Sequence, residues 1–168
     1  DNRDHEFNPR SGWLVDGEAA VSRDAFGSDR DYEHYEFSAN HYRSMSEQAV
    51  LASRLHMKYA AGDAPYFLYP AFGLGSDLRG YQTGTYRDRF LLALQAEYRH
   101  RFTPRWGAVA FAGVGSVSPD FGDWGKSLPS AGVGLRWVVA PQNDISLRFD
   151  IARGKDDTIW YVGVGEAF

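Results

Sequence analysis

Nine charged side chains at alternating positions are the first candidates for chemistry: Asp16, Glu18, Arg54, Lys58, Glu97, Arg99, Arg136, Arg148 and Asp150. Most stand between apolar neighbours, so they fall on one polar face. Carboxylates and guanidinium groups gathered on such a face can line a pore or conduit, or close into a salt-bridged plug. Charge left unpaired in a dry interior is costly. His34, His41, His56 and His100 are the acid–base and metal candidates, but no pair has the close spacing of a ligand cluster. His56 falls on the same face as Arg54 and Lys58, with no orienting carboxylate apparent beside it, and a hydrolase needs Ser, His and Asp or Asn meeting in space. No catalytic residue and no metal ligand is assigned. The chain has no cysteine, which removes disulfides, zinc thiolates and thiol catalysis. Gly73-Leu74-Gly75 is followed by no Lys-Ser/Thr pair, so no nucleotide is expected, and no other cofactor. A net charge of −4 without a basic tract argues against nucleic acid as a partner.

The elements that must position these groups are strands. Val133, Leu135, Trp137 and Val139 alternate with Gly132, Gly134 and Arg136; Ile145, Leu147, Phe149 and Ile151 alternate with Ser146, Arg148, Asp150 and Ala152; Trp160, Val162 and Val164 alternate with Gly163 and Gly165. Period two is the mark of a strand with one apolar and one polar face. Turn residues separate the runs at 140–144 and 154–157. Five earlier segments read as strands at about 13–22, 32–43, 47–60, 88–102 and 106–117, the fifth made of small residues that do not fix its facing. Eight such segments, with 15% aromatic residues and 18 glycines, predict an all-β fold, an antiparallel transmembrane β-barrel with eight strands per chain. Mean hydropathy is only −0.45, as expected where every second residue of a strand meets lipid.

Residues 1–10 read as a polar, flexible lead-in, and 11–168 as the barrel domain. No apolar signal segment opens the chain at Asp1-Asn2-Arg3-Asp4, so an exported protein is expected here in mature or shortened form. Connections after the first, third and fifth strands are long, about nine, 27 and 12 residues, and those after the second, fourth and sixth are short. Short periplasmic turns and longer external loops give this alternation. It makes the loop at about 61–87 external and puts both chain ends on the periplasmic side. Trp13, Tyr98, Trp106, Trp137, Trp160 and Phe168 lie near strand ends, as girdle residues at the lipid interface do.

The long loop contains Gly73-Leu74-Gly75-Ser76-Asp77-Leu78-Arg79-Gly80-Tyr81. Before the first strand stands Asn8-Pro9-Arg10-Ser11-Gly12-Trp13; Glu97-Tyr98-Arg99, Gly132-Val133-Gly134-Leu135-Arg136 and Gly165-Glu166-Ala167-Phe168 follow in order. Over about 160 residues this resembles the C-terminal half-barrel of the BamA-type family of outer-membrane assembly factors and two-partner secretion transporters, also called bacterial surface antigens. The resemblance implies a bacterial outer-membrane location, no enzymatic activity, and a scaffold or conduit for polypeptide or lipid. It further implies a loop motif at Arg79, Gly80 and Tyr81, a C-terminal assembly signal at Phe168, and a weak seam between the first and last strands. In the family the loop arginine pairs with an Asp of a Phe-x-Asp-x-Gly motif; here Phe111-Ala112-Gly113-Val114-Gly115 puts Gly113 at that position. Arg79 must then use Glu97 or Asp150, or stay solvated.

Family barrels have sixteen strands, and this chain carries half of one. Eight strands closed alone leave room only for their own side chains, so a loop of about 27 residues has to lie outside such a barrel. The other solution is a homodimer whose two halves form a larger barrel with a lumen; open edges in lipid are not viable. The expected partners are the lipid bilayer, a second copy, and a client outer-membrane or secreted polypeptide. Two other readings stay open: a small barrel enzyme acting on lipid, and a soluble lipocalin-like carrier. The carrier would turn Leu147 and Phe149 inward.

Overall fold

The computed structural model describes residues 1–27, 29–73, 77–140 and 145–168. Leu74, Gly75 and Ser76 of the quoted loop, and residues 141–144 of the first turn, lie outside them. Among the described residues eight strands run β1 (Gly12–Ser22), β2 (Tyr32–Ser46), β3 (Ala49–Gly62), β4 (Phe90–Arg101), β5 (Trp106–Ser118), β6 (Leu128–Ala140), β7 (Ile145–Arg153) and β8 (Thr158–Val164). They form one antiparallel sheet in chain order, each strand paired with the next. Among the described residues β1 and β8 form no ladder with each other.

β6 begins at Leu128, four residues before the alternation becomes readable, because Ser130 and Ala131 interrupt the apolar series and Pro129 signals a break. Proline is tolerated there, opposite Val114, because the ladder to β7 begins only at Ala131 and Pro129 is at an edge on that side. The connection before it is correspondingly shorter than expected, 119–127. The C-terminal end differs too. β8 stops at Val164, Gly165 turns with φ 78°, and Phe168 leaves the wall for the inner side, so it is not a girdle aromatic. The lead-in is tied down: Asn2 N donates to Trp13 O at 2.9 Å, and the Arg10 guanidinium donates to Ser46 O and Glu47 O at 2.8 Å each.

The two faces divide by chemistry. Leu94, Tyr98, Val133, Leu135, Trp137, Phe149, Trp160, Val162 and Val164 are exposed on the outer face, whereas Asn40, His56, Gln95, Glu97, Arg99, Arg136 and Asp150 are buried on the inner one. Phe149 is 45% exposed, which overturns the lipocalin-like alternative. Small-residue β5 takes its facing from its neighbours, with Val109 and Phe111 buried inside. At the end of the wall where β1 begins, Trp106 stacks on Trp137, its cross-strand partner, at 6.0 Å, and Trp13 on His41 at 4.2 Å. Such a face belongs in lipid, where a charge at mid-depth costs about 2–4 kcal/mol. Leu94→Arg is accordingly expected to destabilise the vesicle-embedded chain by that amount in urea unfolding. A change within about 0.5 kcal/mol, ordinary for a solvated surface, would remove the outer face from lipid.

Candidate functional site

The site is the place where the 63–89 loop meets the inner face. The loop leaves β3 and returns to β4 through a neck held by an Ala71–Arg87 bridge and by Phe72 N donating to Tyr86 O at 3.1 Å. Its tip then turns onto the sheet. Phe72, Leu78 and Tyr81 are buried with Leu91, Ala93 and Leu128 in one apolar cluster. Two glycines make the floor: a Cβ at Gly113 would lie 2.9 Å from Leu78 Cδ1, and one at Gly115 would meet the Phe72 ring. The position that the family pattern gives to Asp is therefore taken up by a leucine resting on bare backbone.

The carboxylates come from strands on either side. Arg79, 2% exposed, donates through Nη2 to Glu97 Oε2 at 2.6 Å and through Nη1 to Asp150 Oδ2 at 2.7 Å. Glu97 is on β4 and Asp150 on β7, three strands apart, or about 14 Å along a flat sheet. One planar guanidinium reaches both because the sheet curls inward. Beneath Arg79 lies the Phe111 ring, 3.4 Å from centroid to Cζ, a cation–π contact worth about 2 kcal/mol when desolvated. The Phe111 ring in turn packs against Gly132, its cross-strand partner, where a Cβ would strike it.

The rest of the tip is fastened through its backbone. Ser130 Oγ donates to Arg79 O, Gly80 N donates to Tyr161 Oη at 2.8 Å, and Tyr81 Oη donates to Pro129 O at 2.5 Å. Gly80 has φ 97° and passes so close to β7 that a Cβ would sit 2.6 Å from Gly154 N. A side chain there meets both backbone strain and a collision.

Around the latch the inner charges form two groups. In the first, Arg99 Nε donates to Glu97 at 2.8 Å, and Arg136 spans Asp150 at 2.5 Å and Glu166 at 2.7 Å. Asp150 stands between Arg136 and Arg148, which are opposite each other in the ladder, and Arg148 lies 3.8 Å from it. The C-terminal tail belongs to this group: Arg99 Nη2 donates to Phe168 O at 2.8 Å, and Arg54 and Arg99 each lie 5.8 Å over the Phe168 ring. In the second group His56, 1% exposed, has Glu36 2.8 Å from Nε2 and Asp77 2.8 Å from Nδ1. Nε2 is hydrogen-bonded to Glu36, whereas the Asp77 carboxylate is close to Nδ1 without forming a hydrogen bond. Lys58 approaches the same carboxylates at 3.5 and 3.7 Å.

Sequence reasoning placed no carboxylate beside His56 and did not single out Glu36, Asp77 or Glu166. Glu36 was legible from its place in the β2 alternation. Asp77 and Glu166 lie in a loop and a tail, where no period predicts facing. Ser38 stands opposite His56 in the ladder, and the Nε2 nitrogen is engaged by Glu36 at 2.8 Å.

Outside the strands Tyr86 donates its hydroxyl to Asp156, and that hydrogen bond pushes the phenol from 10.0 up to about 12. A raised pKa means that the stabilisation is fully present below pH 10 and is lost as pH climbs through about 12. Phenolate absorbance should show this tyrosine titrating last, and Asp156→Asn should bring it back toward 10. An unchanged titration in that variant would reject the pairing.

A curled antiparallel wall, apolar outside, charged inside and crossed by a latched loop, defines a transmembrane β-barrel domain of the outer-membrane type. The chain belongs to the Omp85 superfamily, whose domain model matches residues 1–168, and its location is the bacterial outer membrane. The crystal structure of BamA from Haemophilus ducreyi lacking POTRA domains 1–3 superposes with a TM-score of 0.79 at 16% identity, over 98% of this chain and 40% of that one. The chain thus spans well under half the length of that structure. Among curated proteins no match was found.

Proposed function

We propose that the chain acts as a membrane-embedded scaffold or conduit for polypeptide or lipid, its client being an unfolded outer-membrane or secreted polypeptide. The observation that carries this reading is the Arg79 latch, a loop fastened by buried charges to the polar inner face of a lipid-facing wall. A wall built only to persist in the membrane has no need of such a device, since buried ion pairs contribute little net stability over apolar packing. The fastening instead holds the loop in one place beside a polar surface along which a polar backbone can pass. Arg54, Lys58, Glu97, Arg99, Arg136, Arg148 and Asp150 are the lining in this reading, and Arg79, Gly80 and Tyr81 are the motif that holds the loop. No catalytic step is part of this reading.

The test is client insertion. Vesicles containing the chain should speed the protease-protected insertion of an unfolded small outer-membrane barrel relative to empty vesicles, and Arg79→Ala should remove most of the gain. Equal rates with and without the chain would defeat the reading.

A further inference from the structure

At the end of the wall where β1 begins, the inner face holds a cavity of about 40 Å³, apart from the Arg79 latch. Its floor is apolar, made by Val50, Val109 and Val138, all buried. Among the described residues Arg10, Arg99, Arg101 and Arg136 bring four positive charges to its wall, and Glu166 the one carboxylate. Glu166 is already engaged: Arg136 Nε donates to it at 2.7 Å, and Arg99 Nε lies 3.7 Å away. The cavity is thus cationic over an apolar floor, a setting in which guanidinium groups need acceptors.

Two of those arginines are incompletely partnered, although they are only 6% (Arg99) and 5% (Arg136) exposed. Arg99 donates through Nε to Glu97 and through Nη2 to Phe168 O, and its Nη1 has no hydrogen-bond partner. Arg136 donates through Nε to Glu166 and through Nη1 to Asp150 and to Leu135 O, and its Nη2 has none. Glu97, Leu135, Asp150 and Phe168 do not line the cavity. The nitrogen that each arginine has left is therefore the one that it offers there. A buried donor without an acceptor is costly, and more so when it carries charge.

Size and donor arrangement select the ligand. One water needs roughly 10–15 Å³, so the cavity admits a small polyatomic anion. A carboxylate is met best by two parallel N–H groups of a single guanidinium. Here each arginine contributes one nitrogen, from β4 and from β6, two strands apart. Gln48 and the Arg10 and Arg101 side chains stand around them. Donors that converge from separate strands suit a tetrahedral anion, whose oxygens point in different directions.

We propose that this cavity binds one phosphate group, with Arg99 Nη1 and Arg136 Nη2 donating to its oxygens. Inorganic phosphate and the phosphodiester of a lipid headgroup share that chemistry. Both reach this end of the wall, where the stacked Trp106 and Trp137 mark interfacial depth. A bound phosphate supplies the acceptors that the two arginines lack and ties β4 to β6 across the strand between them.

The site uses two arginines of the proposed lining, but phosphate binding is measured without a client, so this inference and the client reading can fail separately. The test is equilibrium dialysis of the purified protein against radiolabelled inorganic phosphate, in a phosphorus-free maltoside detergent with chloride holding the ionic strength constant. Saturable binding of one phosphate per chain is expected. R99K and R136K keep a cation beside the same carboxylates and remove the nitrogen in question, so each should weaken binding by about tenfold or more. R105K, in the exposed connection between β4 and β5 at the same end, should bind as the unsubstituted protein does. No saturable binding by the unsubstituted protein would overturn the proposal without recourse to any variant. Undiminished binding in R99K and R136K, an equal loss in R105K, or displacement of phosphate by an equal concentration of acetate would overturn it too. Glycerophosphoglycerol, a soluble phosphodiester headgroup, distinguishes the sources: displacement of the label assigns the site to a lipid headgroup, and retention assigns it to inorganic phosphate.

Discussion

Glu97→Ala is expected to destabilise the fold by about 3–5 kcal/mol. Glu97 is fully buried and receives hydrogen bonds from Arg79 at 2.6 Å and Arg99 at 2.8 Å. Removing it leaves two buried guanidinium groups, 2% and 6% exposed, without that acceptor, and stranding a buried charge costs this much. Most of the loss is the penalty on the cations left behind. The double variant Glu97→Met/Arg79→Met should therefore cost clearly less than the sum of its parts. Urea unfolding followed by tryptophan fluorescence, in vesicles of fixed composition, measures both. Additivity within about 0.5 kcal/mol would mean that the two side chains do not act as a pair.

Arg79→Glu is the second large effect, and it acts on the loop more than on the wall. The substitution sets a third carboxylate against Glu97 and Asp150, and like charges at hydrogen-bond distance do not share a dry site. The tip should leave the inner face, exposing Phe72 and Leu78. Amide exchange across residues 77–81 should accelerate by about 100-fold or more, the equivalent of roughly 3 kcal/mol of local stability. The sheet amides of β3 and β4 should change little. Arg79→Lys is expected to fall between, because an ammonium lacks the planar fork that serves two carboxylates and stacks on the Phe111 ring. If β3 and β4 lost protection together with the tip, the loop would be part of the wall's own core and not a separable latch.

Much of the wall was readable because facing in a strand is a local property. Leu92, Leu94, Ala96 and Tyr98 against Gln95, Glu97 and Arg99 need no knowledge of the rest of the chain to be sorted into two faces. β5 was not readable: Ala108, Ala110 and Ala112 against Val109, Phe111 and Gly113 have nearly equal hydrophobicity. Phe111 is inside because Gly132 across the ladder leaves room for its ring. The tail misled for a related reason. Phe168 reads as a girdle aromatic by position, yet Gly165 turns it inward to Arg54 and Arg99.

By itself the sequence determined that the chain is an antiparallel β-wall with an apolar and a charged face, since both follow from period-two patterning and from the turn residues between runs. It determined the resemblance to assembly-factor barrels as well, through the order and spacing of short motifs. The tertiary structure alone decided which charges meet. For Arg79 the sequence had already narrowed the acceptors to Glu97 or Asp150, and the fold lets it take both; His56 joins Glu36 and Asp77, and the tail joins Arg99 and Arg136, because the sheet curls and brings strands far apart in the chain within a side chain's reach. Strand order was decided there as well: among the described residues β1 and β8 form no ladder with each other, and the pairing of the first and last strands is not local information.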